Sequence, residues 1–343
     1  MNANHDQNKA IINKLQKILY DIEPAALSGQ LQEFFTPDAE IHLAYPFHNI
    51  DGPQDLYQRV FGPLITALPD LERRNFILMA GPSVNASNWV GCAGHYVGVF
   101  EKPWLDIPPT FHPVAMRYHE FFRVEDGKIV EMQALWDIPQ LMMQARAWPL
   151  SPSLGVEWMV PAPAPQNGIL SGPRNDEESV ASQKLVGDML SGLQKHAEGG
   201  PEAMNLTAYW HPKMTWYGPA GIGTNRRISG FRNWHQIPFL KGMPDRGMYP
   251  DAAHYFFADG PFVGFTAWPG MRCTISDDGW LGIAPVNQEI SMLSLDFWRC
   301  ENGLIRENWV LVDLLDVYNQ IGVDVFNRMR EYTVARQAKR PLI

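Results

Sequence analysis

Two aspartates are the residues of this chain best placed to move a proton. Asp137 and Asp313 each close a strand-like run, and each follows a glutamate six residues earlier, Glu131 and Glu307. Side chains alternate along a strand, so Ile129, Glu131, Gln133, Leu135 and Asp137 share one face, and Val130, Met132, Ala134 and Trp136 the other. In the second run Ile305, Glu307, Trp309, Leu311 and Asp313 oppose Arg306, Asn308, Val310 and Val312. Glu and Asp then stand roughly 20 Å apart along the strand, too far for a dyad but able to project into one long cavity. A carboxylate walled by Trp, Phe and Met is desolvated, which raises its pKa toward values useful for abstracting a proton beside a carbonyl. The chain has such walls, with 12 Trp, 17 Phe, 11 Tyr and 15 Met. His119 can share the proton work of Asp137. His42, Tyr96, Glu131, Gln133, Tyr217, Glu307 and Trp309 are the candidate substrate contacts. Each aspartate also stands just before a helical pattern, where it would serve as an N-cap.

Other chemistries find less support. The histidines show no tight metal-ligand spacing and no cysteine joins them, so neither a metal nor an organic cofactor is expected. Gly218 to Gly223 followed by Arg226-Arg227 lacks the strand–Gly–helix setting and the Lys-Ser/Thr ending of a phosphate loop, and reads as a turn. No GxSxG or Cys/His arrangement points to covalent catalysis.

The elements that must position these residues are written twice. Residues 116–144 align without a gap on residues 292–320, keeping Phe121/Phe297, Arg123/Arg299, Gly127/Gly303, Ile129/Ile305, Glu131/Glu307, Leu135/Leu311, Asp137/Asp313 and Gln144/Gln320. Each copy reads as a β-hairpin closed at a glycine, with a short helix after the aspartate. Upstream, Ile11, Ile12, Leu15, Ile18, Leu19 and Ile22 recur at helical spacing, as do Val180, Leu185, Val186, Met189, Leu190 and Leu193 behind a capping box at Asn175 and Glu178. A second helical segment follows in each half, ending at Pro69-Asp70 and Pro244-Asp245, and the remainder is strand-like. Helices before an antiparallel meander, twice, is an α+β pattern. The expected domains are 1–148 and 175–343, joined by a Pro-rich linker, 149–174, in which Val156 to Val160 packs on a domain surface. The apolar rows Val130-Met132-Ala134-Trp136 and Val310-Val312 are expected to pack the two sheets together as an internal pseudo-dimer.

A net charge of −9 argues against nucleic-acid or anionic-membrane partners. Cys92, Cys273 and Cys300 form no CxxC pair, and no run approaches the ~20 apolar residues of a membrane span. The polar N-terminus shows no apolar signal core, and the chain reads as soluble and cytoplasmic.

These residues carry a family resemblance. Gly94-His95-Tyr96-Val97-Gly98, then Ile107 to Val114 (IPPTFHPV), Phe121-Phe122-Arg123, Asp126 to Glu131 (DGKIVE) and Asp137 recur in outline as Leu281 to Ile290, Asp296 to Arg299, Gly303 to Glu307, Trp309, Asp313 and Gln320-Ile321-Gly322. The chain resembles the SnoaL-like polyketide cyclases of the NTF2-like superfamily, in tandem, over residues 8–148 and 175–335. The resemblance implies a curved antiparallel sheet wrapped around helices, one deep apolar pocket per domain, and an aspartate acid/base that falls on Asp137 and Asp313. The sequence departs from the family's pattern at Gln133, Phe111, Ala284, Val286 and the Gly-rich insertion at 218–230. Three functions follow: a cofactor-independent cyclase, isomerase or lyase acting on a hydrophobic, aromatic or polyketide-like small molecule; a non-catalytic ligand-binding protein; or a pseudo-dimeric scaffold. Self-association of whole chains is left open.

Overall fold

In the computed structural model, residues 3–83, 85–196, 202–249 and 253–338 are described. The first unit opens with α1 (Ala3–Tyr20) and α2 (Pro24–Phe34), the latter with Pro24 in its first turn, where the missing N–H is harmless. β1 (Phe35–Leu43), β2 (His48–Asp51) and a helical stretch over 52–67 that includes α3 (Gly52–Asp55) and α4 (Gly62–Ala67) lead to three long strands, β3 (Glu72–Pro82), β4 (Asn88–Val99) and β5 (Pro113–Glu125). β6 (Lys128–Trp136) and α5 (Ile138–Gln144) complete it. The second unit repeats the plan with α6 (Asp176–Gln194), β7 (Trp210–Tyr217), β8 (Asn225–Arg226) and a helical stretch over 227–242. Asn175 Oδ1 caps α6 by accepting from Glu178 N at 3.1 Å.

Strand order establishes the duplication. One six-stranded sheet runs β2-β1-β6-β5-β4-β3, with only β1 and β6 parallel. The other runs β8-β7-β15-β14-β11-β10, where β10 is His254–Asp259, β11 Phe262–Ala267, β14 Ser294–Glu301 and β15 Leu304–Val312. β15 and β7 form its parallel pair. The architecture is α+β, two tandem units of one topology. The helix over Leu314–Gln320 repeats α5.

The units differ where the first has its longest strands. In the second unit the counterparts of β3, β4 and β5 are each broken, and the outer pieces, β9 (Gly247–Met248), β12 (Met271–Thr274) and β13 (Glu289–Met292), form a separate three-stranded sheet. The break between β11 and β12 is Trp268-Pro269-Gly270. Pro269 has no N–H for a ladder, and Gly270 sits at φ +91° where an added Cβ would stand 2.4 Å from the Met292 carbonyl oxygen.

The alternation assumed along β6 and β15 fails at one residue in each. Pairing shifts between Arg123/Val124 opposite Glu131/Ile129, and again between Arg299/Cys300 opposite Glu307/Ile305. This β-bulge puts Ile129 on the same side as Met132, Ala134 and Trp136, in the core cluster with the helices. The expectation that Met132, Ala134 and Trp136 pack sheet on sheet is therefore corrected. Leu135, Trp309 and Leu311, from the face assigned to the cavities, join Phe121, Phe297, Phe257 and Met79 between the sheets. There Phe121 stacks on its own counterpart Phe297, centroids 4.8 Å apart and planes at 11°. Gly91 and Gly264 make room, since a Cβ on either would stand 2.8 Å from Phe297 Cε1 or 3.1 Å from Phe121 Cε1. In the linker, Val156 bridges Thr224, Ile169 bridges Leu78, and Val160 is buried between the sheets.

Candidate functional site

The sequence-derived site residues gather, but mostly outside the cones formed by each sheet and its helices. Asp137 caps α5 with Oδ1, accepting from Gln140 N at 3.3 Å, and its Oδ2 accepts from Ala220 N of the second unit at 3.0 Å. Asp313 does the reciprocal thing: Oδ1 accepts from Asp316 N at 3.2 Å, and Oδ2 accepts from Tyr45 N of the first unit at 2.7 Å. Burial lifts Asp137 to about 6, against the pull of Arg117, and lifts Asp313 to about 7. His119 Nδ1 meets the Leu295 carbonyl at 2.7 Å, and burial, then Arg117, pushes its pKa well below the usual histidine value, so it is neutral.

The glutamates are each paired with an arginine of the neighbouring strand. Glu131 accepts from Arg123 Nε at 2.8 Å and from Gln133 Nε2 at 2.7 Å, while Gln133 Oε1 accepts from Thr266 Oγ1 at 2.5 Å. Glu307 accepts from Arg299 Nε at 2.6 Å and Tyr217 Oη at 3.1 Å. Trp309 stacks on Tyr217 at 5.3 Å and donates to the Pro161 carbonyl at 3.1 Å. His42 meets Asn49 Oδ1 at 2.8 Å and stacks on Trp268 at 5.3 Å. Parallel pairing of β1 with β6 brings Glu40, His42 and Glu131 together, with ligand atoms within 4.8 Å of one another, so these three could hold a cation that sequence spacing does not show. Arg123 already supplies positive charge to Glu131 there.

Of the ten, Tyr96 alone points into a cone, the first. It donates to Glu120 Oε1 at 2.9 Å, as does Trp136 Nε1 at 2.9 Å, and Arg73 Nη2 meets Glu120 Oε2 at 2.6 Å. Arg73 lies over the Tyr118 ring at 4.4 Å and also donates to Asn75 at 2.6 Å and to Gln16. Arg73, Tyr96, Tyr118, Glu120 and Trp136 are all buried. A paired and fully bonded carboxylate fills the middle of this cone.

The second cone is open at the same level. A cavity of about 650 Å³ is lined by Leu190 and Leu193 of α6, by Phe256, Phe265, Met271 and Trp298, and by Ser294, Asp296, His254 and Arg246. Cys92 lies opposite Glu120, and Phe265 opposite Asp296, so Asp296 is the counterpart of Glu120. None of the three groups that hold Glu120 is reproduced around it. Val312 replaces Trp136, since each faces the equivalent Tyr118 or Ser294, and counting along the strands from Cys92 and Phe265 sets Pro269 at the place of Tyr96. The broken strands carry off the third contribution, and Gly247, Met248 and Gly270 from the break line the void. Among the described residues Asp296 keeps only Ser294 Oγ, at 3.1 and 3.2 Å. Burial raises its pKa to about 7, with the Ser294 bond opposing.

Sequence reasoning passed over Asp296, Glu120 and Arg246, none of which is an identical position. The signal was present: on the same 176-residue offset Glu120 falls on Asp296, a conserved charge type on an otherwise apolar strand face.

Residues 23–145 match the sequence model of the family described as SnoaL-like polyketide cyclase. That match spans nearly all of the first unit, and the second unit repeats the same strand topology in tandem. Among solved structures, a protein of Jannaschia sp. CCS1, provisionally described as a SnoaL-like polyketide cyclase, is 19% identical over 42% of this chain and 94% of its own, with TM-score 0.35. IdmH of Streptomyces antibioticus, provisionally described as a polyketide cyclase, is 22% identical over 39% and 95%, with TM-score 0.32. An NTF2-like protein of Burkholderia thailandensis E264 is 19% identical over 41% and 97%, with TM-score 0.31. No curated protein matches the chain. Among the described residues no helix is long and apolar enough to cross a membrane.

Proposed function

We propose that the protein is a cofactor-independent acid/base enzyme of cyclase or isomerase type, acting on a hydrophobic small molecule in the second cone. The observation that carries this reading is Asp296, a carboxyl raised to about 7 beside a 650 Å³ apolar cavity, with a single serine as partner among the described residues. Near neutrality such a group is present in both forms, so it can take a proton from carbon next to a carbonyl and return it to another atom. The carboxylate accepts the α-proton, the C–H electron pair becomes the enolate, and the same proton is delivered to carbon or oxygen at the end of the step. Phe256, Phe265, Met271 and Trp298 exclude water and hold an apolar body against it. Asp137 and Asp313, each bonded to two backbone N–H groups, tie the units together in this reading.

The test needs no natural substrate. Exchange of the α-protons of an aromatic ketone such as tetralone, followed by NMR in heavy water, reads proton abstraction directly. Wild type accelerates exchange with a rate that rises through about pH 7. Asp296→Asn lowers it by ~10²–10⁴ while leaving ketone affinity nearly unchanged. Undiminished exchange in Asp296→Asn, or its loss in Asp137→Asn instead, overturns the assignment.

A further inference from the structure

One position in the duplicated fold changes character completely. The turn Pro69-Asp70 recurs as Pro244-Asp245, and its role is the same in both: Asp70 Oδ1 accepts from Val99 N at 2.7 Å, Asp245 Oδ1 from Thr274 N at 2.8 Å. The next residue is Leu71 in the first unit, buried in the core, and Arg246 in the second, where it lines the cavity that Asp296 also lines.

Arg246 is half-buried there, and a partly desolvated guanidinium is stabilised by an anion or by a full set of acceptors. Arg246 has neither among the described residues. Its Nη2 reaches the Leu193 carbonyl at a long 3.4 Å, and the guanidinium lies over the Phe239 ring at 5.7 Å. No carboxylate forms an ion pair with it among the described residues. Nearby His235 is held neutral, its pKa pushed down to about 3 by burial and then by Arg246. Arg246 thus lines the cavity with five N–H donors on its guanidinium and one long hydrogen bond to a protein acceptor among the described residues.

We propose, resting on the reading of this cavity as the substrate site, that its ligand is an organic anion. A carboxylate pairs bidentately with Arg246, and the apolar body of the molecule lies along Phe256, Phe265, Met271 and Trp298 toward Asp296. The cavity then has three functional regions: a cationic anchor, an apolar wall, and a proton-transfer group with no competing salt bridge to the anchor. Binding energy from the anchored end orients the reacting end against Asp296, which is where remote contacts raise a rate. The chemical class is an aromatic or polycyclic keto acid, or the conjugate base of one.

Naphthoate and methyl naphthoate differ in charge and little in shape, and Trp298 in the wall reports their binding through its fluorescence. At about pH 6, where the acid is ionised, wild type binds naphthoate at least ~10-fold more tightly than the ester. Arg246→Gln abolishes that preference by weakening naphthoate ~30-fold while leaving the ester unchanged, and Arg246→Lys restores part of it. Unchanged ester binding shows that the variant cavity is intact. Equal binding of acid and ester by wild type, no naphthoate binding at millimolar concentration, or equal weakening of both in Arg246→Gln overturns the proposal. The two readings fail separately. Ketone exchange that depends on Asp296 with no charge preference removes the anion and keeps the acid/base chemistry. Arg246-dependent naphthoate binding without Asp296-dependent exchange does the reverse.

Discussion

Glu120 and Asp296 occupy one position of a duplicated fold, and the surroundings give them opposite work. Glu120 is locked by Arg73, Tyr96 and Trp136 inside a filled cone. Asp296 faces a void, because Val312 and the Pro269 break stand where two of those donors would be. Interrupting three strands removes two of the three donors and opens the space, and Val312 on the unbroken β15 removes the other, so cavity and raised pKa arise together. A buried carboxylate is thus neither catalytic nor structural by type. What decides is whether its neighbours satisfy it.

The largest expected effect that separates the two cones is structural. Glu120→Gln leaves Arg73 a buried charge without its counter-ion, and should lower unfolding free energy by ~3–5 kcal/mol in denaturant titration. Asp296→Asn should cost no stability at neutral pH. If Glu120→Gln is silent, the first cone is not held as described.

Next come the aspartates at the junction. Asp137→Ala and Asp313→Ala each strand two backbone donors, one of them across the junction, for a loss of ~1–3 kcal/mol with proton-exchange activity intact in the folded protein. A large loss of kcat at normal stability would return the chemistry to them. The junction itself can be sharpened: each unit expressed alone exposes the Phe121 or Phe297 face and should self-associate in sedimentation runs.

How far this was readable in the sequence follows from the same residues. The α+β class, the tandem repeat, the helices and the hairpins all rest on local periodicity and turn residues. The N-cap reading of Asp137 and Asp313, open in the sequence, is what the helix ends show. Which strand face looked inward was misread, because the face carrying Glu131, Gln133 and Leu135 packs between the sheets, and the bulge that moves Ile129 to the other side is announced by no residue type. Asp296 could have been found by asking which charges, rather than which identities, the repeat keeps. Its freedom could not, since that depends on Pro269 and Val312 lying beside it in the folded sheet.

The smallest expected effect is a dependence of stability on pH. Asp296 and Asp313 titrate near 7 in the fold, and near 4 when unfolded. Between those values the folded protein holds more protons than the unfolded one. Their contribution to stability is therefore full below about pH 4 and is lost as pH rises through about 7. Asp296→Asn mimics the protonated form. Its Tm should exceed that of wild type by roughly 2–4 °C above pH 7, kept small by water in the cavity, and converge with it near pH 4. A constant difference across that range would contradict the assignment.

The most direct test is the titration of the Asp296 carboxyl itself, followed by carbon NMR in protein labelled at aspartate and assigned with Asp296→Asn. The account predicts a midpoint of about 7. A midpoint at the ordinary value near ~4 would show a solvated carboxylate, and the second cone would have no proton-transfer group.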